Sequence, residues 1–276
     1  MFSATLQPGI VSLFSSTSSD PLFLFSTHID ESLPSDSLIH FVDDETSEPG
    51  PPHPASLIKI SGTGHALCQT VLHLQSPTLP TTFIQSPPHG SDYQSLGLKH
   101  PWIHFQIRNL ERECSIEIGI VDQMGREGRI RLSTFQKDPQ LNISPSKTTY
   151  NDHLLQSSPS NHSSLLHLPL NFPSSSSRPL TSWATITLNI PSFLPYFTAL
   201  ANTDYHSISD DSDLVPTSQS IERSIILRTL PNGTYSHVSY VRVYATCRLR
   251  RIWSSEASPS QSHSVPWEFE LYGGGV

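Results

Sequence analysis

The sequence predicts an all-β fold, built as a single β-sandwich. Short runs of alternating apolar and polar residues are separated by turn residues, which is typical of strands packed on one face. Residues 183–190 alternate for eight positions and are the clearest example. Helical periodicity is weak throughout, and several stretches rich in Ser, Pro and Asp show no periodicity at all. Together these observations favour a β-sandwich interrupted by long polar insertions over a helical or α/β fold.

The strands follow from the same alternation, taken along the chain. They are predicted at residues 57–60, 71–74, 82–84, 102–107, 116–121, 129–132 and 183–190, with one or two more within 234–253. In residues 102–107, Trp102 faces one side, while Ile103, Phe105 and Ile107 face the other. Residues 116–121 and 129–132 flank the turn signal 123–125, so we expect them to form a hairpin.

Helix signals are confined to residues 192–200, where Ser192 has the character of an N-cap and Pro195 is tolerated in the first turn. We therefore expect at most one or two short helices.

The chain is predicted to be one domain, 1–276, with a core interrupted by three insertions. The core segments are 1–27, 56–140, 165–200 and 221–272, and the insertions are 28–55, 141–164 and 201–220. The insertions lack the apolar residues needed to offset the entropy cost of ordering, so we expect flexible loops.

Composition and charge exclude several function classes. Hydrophobic residues make up 36% of the chain, charged residues 14%, and the formal net charge is −8. Acidic residues concentrate in the first and third insertions, while arginines concentrate between 223 and 251. A broad basic footprint is absent, so no specific nucleic-acid partner is expected.

Cysteine usage and hydropathy indicate a cytosolic or nuclear protein without a membrane segment. Cys68, Cys114 and Cys247 are far apart and show no metal-type spacing, which favours reduced thiols. The N-terminus has no signal-peptide pattern, and no run of eighteen apolar residues occurs.

Residues with catalytic or ligand chemistry form no recognisable constellation. His100 and His104 have helical spacing but lie in a strand pattern, about 13 Å apart, which is too far for one metal ion. The carboxylates of Glu117, Asp122, Glu268 and Glu270 are expected at solvated, outward positions. We therefore predict no enzyme activity, no catalytic residue, no metal and no cofactor.

The most distinctive stretch is residues 241–252, which contains four arginines. In one continuous strand, Arg242, Arg248 and Arg250 share the face opposite the apolar residues, and the adjacent Arg250 and Arg251 indicate a bulge or strand end. The row is either a solvated outer face or a docking surface for an acidic protein, because arginine binds carboxylates bidentately. Arg242, Arg248, Arg250 and Arg251 are therefore the candidate protein-binding residues.

The order of several short motifs resembles the cilia- and flagella-associated protein 20 family. The resembling stretches are residues 7–12, 96–101, 107–110, 183–190, 245–252 and 268–272. None is specific alone, but six in the same order span nearly the whole chain and leave out only the three insertions.

The resemblance implies a jelly-roll-like β-sandwich, similar in shape to carbohydrate-binding modules and without catalytic residues. It further implies a structural role at the inner junction of ciliary doublet microtubules, beside tubulin and neighbouring junction proteins. The location so implied is the cytoplasm and cytoskeleton, within the axoneme and basal body of the cilium or flagellum.

Two alternatives stay open. One is a nuclear or cytosolic interaction module of the same fold. The other is a carbohydrate-binding module, which would present coplanar, exposed aromatic rings on one sheet face. Trp102, Trp183, Trp253 and Trp267 lie in strand-like segments, and most of them are expected to pack in the core.

Overall fold

The computed structural model of the chain describes residues 1–49, 69–90, 94–143, 164–172, 182–206, 227–258 and 266–269. The predicted strand 57–60 lies outside these residues, as do most of the second and third insertions. The described residues form two β-sheets, a helix of 13 residues and little other helical structure, which confirms the predicted all-β sandwich.

Thirteen strands form within the described residues. In chain order they are β1 (Ile10–Ser15), β2 (Ser26–His28), β3 (Leu38–Asp43), β4 (Thr70–Gln75), β5 (Phe83–Ser86), β6 (Trp102–Asn109), β7 (Ser115–Asp122), β8 (Glu127–Ser133), β9 (Gln140–Asn142), β10 (Ser164–Pro169), β11 (Trp183–Asn189), β12 (Tyr235–Tyr244) and β13 (Cys247–Ser255). The helix α1 spans Leu194–His206 and follows a 3-10 turn at Ile190–Phe193.

The two sheets have different orders. The first sheet runs β11-β6-β13-β4-β3, and β1 also pairs with β13, alongside the later half of that strand. The second sheet runs β2-β5-β12-β7-β8-β10-β9. All strand pairs are antiparallel except β8 with β10, which run parallel. The connection between the parallel strands β8 and β10 therefore cannot be a simple hairpin.

The core lies between the sheets and is filled by alternate residues of each strand. Ile103, Phe105 and Ile107 of β6 are fully buried there, as the alternation predicts. Ile118 of β7 and Val241 of β12 face them from the second sheet. Burying one such side chain contributes about 1.5–3 kcal/mol, so this layer is the main source of stability.

The predicted hairpin between β7 and β8 is confirmed, and Asp122 organises its turn. The Asp122 carboxylate accepts the backbone N–H groups of Met124 and Arg126 at 2.9 Å and the Arg126 Nε at 2.7 Å. Gly125 takes a positive φ of 77° that other residues adopt at a cost. Burial acts to raise the pKa of Asp122, but the bonds from Arg126 and Asn232 outweigh it and leave the pKa lowered. The expected solvated position of Asp122 was wrong, because the carboxylate is buried under its own turn.

Residues 241–252 do not form one strand. The chain leaves the second sheet at the end of β12, turns at residues 245–246 and enters the first sheet as β13. The predicted bulge is confirmed, because the pairing of β13 with β6 shifts register between Leu249 and Arg251. Arg250 is the extra residue.

Two boundaries differ from the sequence-based expectation. The insertion assigned to 28–55 contains β3, whose Ile39 and Phe41 pack against the core. Strand pairing with β4 orders this segment. The predicted helix is confirmed but lies at 194–206, since the Ser192 hydroxyl bonds the Asn189 carbonyl inside the preceding 3-10 turn and does not cap the helix.

None of the helices within the described residues has both the length and the apolar character required to span a membrane.

Candidate interaction surfaces

The four predicted binding arginines lie on two different sheets. Arg242 belongs to β12 and faces outward from the second sheet, while Arg248, Arg250 and Arg251 belong to β13 of the first sheet. The predicted continuous row was therefore wrong. Arg248, Arg250 and Arg251 are only 7%, 7% and 8% exposed, so these three are not a solvated surface either. Their role in protein binding stays a prediction.

Arg248 is part of an ion-paired cluster on the outer face of the first sheet, which we call the Asp44 cluster (Asp44, Arg108, Trp183, Arg248). The Asp44 Oδ1 accepts Nη1 of Arg248 at 2.9 Å and Nη1 of Arg108 at 3.0 Å. The Trp183 Nε1 donates to Asp44 Oδ2 at 2.8 Å. Arg248 also donates to Ser47 Oγ at 2.6 Å. The cluster therefore ties the loop after β3 onto the sheet.

Arg250 and Arg251 lie under the C-terminal segment 266–269. Arg250 donates to Gln106 Oε1 at 3.0 Å, and Gln106 in turn donates to the Phe269 carbonyl at 2.6 Å. The Arg251 guanidinium lies 5.4 Å from the centre of the Phe269 ring. Burial lowers the pKa of Arg250 to about 10, with the charge of Arg251 acting in the same direction. These two arginines therefore hold a segment of their own chain.

Two tryptophans are buried on this same outer face and not between the sheets. Trp183 packs with Val42 and Val71 in a small cluster separate from the core. Trp253 stacks on His104 at 4.8 Å and contacts Phe269 at 5.0 Å. The expected burial of Trp183 and Trp253 is confirmed, but loops and the C-terminal segment provide it.

Arg242 belongs to a second ion-paired cluster, on the outer face of the second sheet, which we call the Glu117 cluster (Gln85, Glu117, Arg131, Tyr240, Arg242). Arg131 donates through Nε and Nη2 to Glu117 Oε2, with the Nε bond at 2.7 Å. Tyr240 donates its hydroxyl to Glu117 Oε1 at 2.7 Å, and Arg242 Nη1 lies 3.5 Å from the same oxygen. Arg242 also binds Gln85 Oε1 through Nε at 2.8 Å. The expected solvated position of Glu117 was wrong, because its neighbours bury it completely.

The Glu117 cluster is part of a straight polar row across the second sheet. Strand register places Gln85 opposite Arg242, Arg242 opposite Glu117, Glu117 opposite Arg131, and Arg131 opposite His167. Cross-strand neighbours on one face lie about 5 Å apart, so each side chain contacts the next. The three central residues of the row, Arg242, Glu117 and Arg131, therefore alternate in charge.

Aromatic rings border this row. The Arg242 guanidinium lies 4.6 Å from the centre of the Phe83 ring, and the Arg131 guanidinium lies 5.4 Å from that of Tyr244. Phe83 and Tyr244 are themselves buried beneath these groups. The rings support the arginines and do not form the exposed, coplanar platform that sugar binding requires.

Gly119 makes room for one of the contacts to Glu117. A Cβ at this position would lie 2.4 Å from Cδ1 of Tyr240, so glycine leaves the space that the ring occupies beside β7. That placement brings the Tyr240 hydroxyl to Glu117. Burial raises the pKa of Tyr240, and the negative charge of Glu117 adds to the effect, so the hydroxyl remains a donor.

The charge state of the row follows from the same surroundings. Burial acts to lower the pKa of Arg131, but Glu117 and Tyr244 outweigh it and leave the pKa raised. Burial lowers the pKa of His167, and the charge of Arg131 lowers it further. At neutral pH the row therefore carries two guanidinium charges, one carboxylate and a neutral imidazole.

Histidines near β6 bind hydroxyl groups. His100 Nδ1 lies 2.8 Å from Ser254 Oγ, and His104 lies 3.0 Å from Thr187 Oγ1 and 2.9 Å from Ser255 Oγ. Ser254 is fully buried, so no substrate reaches its hydroxyl. In the part of the chain that the structure describes, no three His, Cys, Asp or Glu side chains are grouped as a metal site.

A cleft of about 780 Å³ lies at the end of the sandwich where β12 passes to β13. Its charged lining residues are Asp36, Glu111, Arg112 and Glu113. None of the four predicted arginines lines it.

Sequence reasoning missed the central members of both clusters. Glu117 and Arg131 share the outward parity of their strands, so the alternation could have placed them on one face. Asp44 lay in a segment assigned to a flexible loop, and no local signal pairs it with an arginine 204 residues away.

Comparison with known proteins agrees with the resemblance seen in the motifs. No curated protein matches the chain significantly. The match to the family model covers about a third of the chain, and it includes Gln85, Glu117 and Arg131 but none of the four predicted arginines. Residues 62–151 match the CFA20 domain, and this confirms the resemblance to the cilia- and flagella-associated protein 20 family.

Proposed function

We propose that this protein is a non-enzymatic structural component of the cilium or flagellum, positioned at the inner junction of doublet microtubules, where it binds tubulin and neighbouring junction proteins. The observation that carries the proposal is the CFA20 match over residues 62–151, since that family is associated with cilia and flagella. The β-sandwich and its ion-paired outer faces are compatible with a protein that works by binding others.

The chemistry of the polar residues supports a non-enzymatic role. The paired imidazole and hydroxyl groups of His100 and Ser254 are buried. Burial raises the pKa of the Cys114 thiol to about 12 and that of the Cys247 thiol well above its usual range, so neither is a thiolate nucleophile at neutral pH. The buried carboxylates Asp44 and Glu117 are bound by arginines.

Localisation in ciliated cells of the source organism tests the proposal. A fluorescently tagged chain should follow the full length of the axoneme and persist after the membrane and soluble proteins are extracted with detergent. The tag alone, expressed at the same level, is the control. Diffuse signal that is lost on extraction, in cells whose cilia are intact, would contradict the ciliary role and favour the cytosolic or nuclear alternative.

Binding to purified microtubules tests the partner. The chain should co-sediment with microtubules at low salt and do so less at moderate salt, because acidic tubulin surfaces attract guanidinium groups electrostatically. Equal recovery in the pellet with and without microtubules would overturn direct tubulin binding.

A further inference from the structure

The outer face of the second sheet carries more positive than negative charge at its centre. Arg131 and Arg242 flank the single carboxylate of Glu117, so the row holds one positive charge in excess. The next outward residues of β8 are Arg129, beside Tyr240, and Glu127 at the far end of the strand. His167 adds no charge at neutral pH because its pKa is lowered by burial and by Arg131.

Both guanidinium groups keep an edge in solvent. The side chains of Arg131 and Arg242 are 29% and 22% exposed, although Glu117 between them is buried. Arg131 uses Nε and Nη2 for Glu117, and its Nη1 makes no hydrogen bond to any described residue. Beside it, Phe135 is 42% exposed and packs edge-on against His167. Donors and an apolar ring are thus presented side by side.

These donors are also held in place before any partner arrives. Glu117 holds Arg131, and Gln85 and the Tyr244 hydroxyl hold Arg242 at 2.8 Å each. Phe83 and Tyr244 support the guanidinium planes from below. A ligand carboxylate would therefore meet oriented donors, and little side-chain entropy would be lost on binding.

We propose that the outer face of the second sheet is a docking surface for an extended acidic peptide segment of a partner protein, with one carboxylate on Arg131 and a second on Arg242. This inference rests on the proposed function as a binding protein and names the surface that it uses.

The spacing of the strands defines the segment. Arg131 on β8 and Arg242 on β12 are separated by the one intervening strand β7, so their backbones lie about 10 Å apart. A peptide in the extended polyproline II conformation rises about 3.1 Å per residue with three residues per turn, so two acidic residues three positions apart lie on the same side of it, about 9 Å apart, which matches this distance. Glu117 between the arginines repels an unbroken line of phosphates, which favours a peptide over a nucleic acid.

The experiment measures binding of a fluorescent peptide with two glutamates three residues apart to the full chain, by anisotropy at low and moderate salt. R131Q is the test variant, and R108Q is its matched control. Arg108 is also paired to a buried carboxylate and its side chain is similarly exposed, at 27%, but it lies on the other sheet. R131Q should weaken peptide binding roughly tenfold, as expected for one charge-assisted contact, and R108Q should leave it within about twofold.

Circular dichroism of each variant first establishes that it is folded, and F135A supplies a variant of the same face that leaves the ion pairs intact. A smaller loss of binding in F135A than in R131Q supports the surface. Equal losses of peptide binding in R131Q and R108Q would show that only the net charge of the chain matters. That result would overturn the proposed docking surface. If the chain binds a single-stranded oligonucleotide more tightly than the peptide, the partner of this surface is a nucleic acid and not a peptide.

The outcome is separable from that of the proposed function. Peptide binding needs no cilium, so it holds or fails independently of localisation. If the chain follows the axoneme but R131Q and R108Q bind the peptide equally well, the proposed function is supported. The proposed docking surface is then contradicted.

Discussion

Asp44 and Glu117 each hold two arginine side chains, one pair on each outer face of the sandwich. In the Asp44 cluster the carboxylate comes from a loop, which closes over Arg248 and leaves that side chain 9% exposed. In the Glu117 cluster all charged groups come from neighbouring strands, and the side chains of Arg131 and Arg242 stay 29% and 22% exposed. The same ion-pairing chemistry thus fastens a loop in one place and leaves donors at the surface in the other.

The difference follows from where the partners lie along the chain. Cross-strand pairs such as Glu117 and Arg131 are brought together by the hairpin and stay flat on the sheet. Asp44 and Arg248 are 204 residues apart and meet only when the loop folds onto the finished sheet. An ion pair that seals a loop is desolvated more completely, so its loss is more costly.

The substitution D44N gives the largest expected effect. The amide keeps the shape of the carboxylate but removes its charge, which leaves two guanidinium groups and the Trp183 indole competing for one oxygen. We expect a loss of about 3–5 kcal/mol in the free energy of unfolding. Urea unfolding followed by circular dichroism measures it, and a loss below about 1 kcal/mol would show that the loop is not fastened by this cluster.

The substitution F269A tests the other covering of the first sheet. The ring contacts Arg251 and Trp253, and without it we expect the C-terminal segment to detach. The expected loss is about 2–3 kcal/mol, below that of a central core phenylalanine because a terminal segment can detach without unfolding the sheets. Thermal melts measure the loss, and quenching of tryptophan fluorescence by iodide should increase.

The control is F135A on the second sheet, where the ring is 42% exposed. Its expected cost is within about 0.5 kcal/mol. Equal losses in F269A and F135A would remove the distinction between a covered face and an open one.

Acid should destabilise the covered face through His104. Burial lowers the pKa of this imidazole to about 4, from an ordinary value of 6.5. Between these values the unfolded chain binds the proton and the folded chain does not, so stability falls as the pH is lowered from 6.5 toward 4. At pH 5 this histidine alone should cost about 2 kcal/mol.

Urea titrations at a series of pH values measure this loss, and the difference between the parent and H104Q isolates His104 from the other histidines. The variant should lose less stability on acidification. Parallel curves for the two proteins would show that His104 does not titrate in this range.

Apart from the control F135A, the substitution E117Q gives the smallest expected change, and it is the counterpart of D44N. Arg131 and Arg242 have exposed edges, so they can turn toward water once the carboxylate charge is gone. The Tyr240 hydroxyl can still donate to the amide oxygen. We expect a loss of about 1–2 kcal/mol by the same urea assay. A loss as large as that of D44N would mean that both clusters are structural to the same degree.

Strand alternation was the most informative signal in the sequence, because a face that packs on a core must repeat every second residue. It predicted β6, the β7–β8 hairpin and β11, and it indicated a bulge or strand end at Arg250 and Arg251, where the structure has a bulge. It also placed Arg242 and Arg248 correctly on faces opposite their apolar neighbours.

Alternation does not say which sheet a strand joins. The turn at residues 245–246 contains neither Gly nor Pro, so no local sequence signal indicates that the chain changes sheet between β12 and β13. The arginines of the two sheets were therefore predicted to form one row. A second error concerned the first insertion. The short run of β3 lies in acidic and proline-rich surroundings, and the whole segment was therefore assigned to a flexible loop.

The sequence by itself determined the all-β class, most of the strands and the family resemblance, since these depend on residue order and on short-range periodicity. The tertiary structure alone decided which arginines are covered and which remain at a surface. Burial on an outer face depends on what folds back over it, here the loop that carries Asp44 and the segment that carries Phe269. Those contacts join residues more than 160 positions apart, where local sequence patterns carry no information.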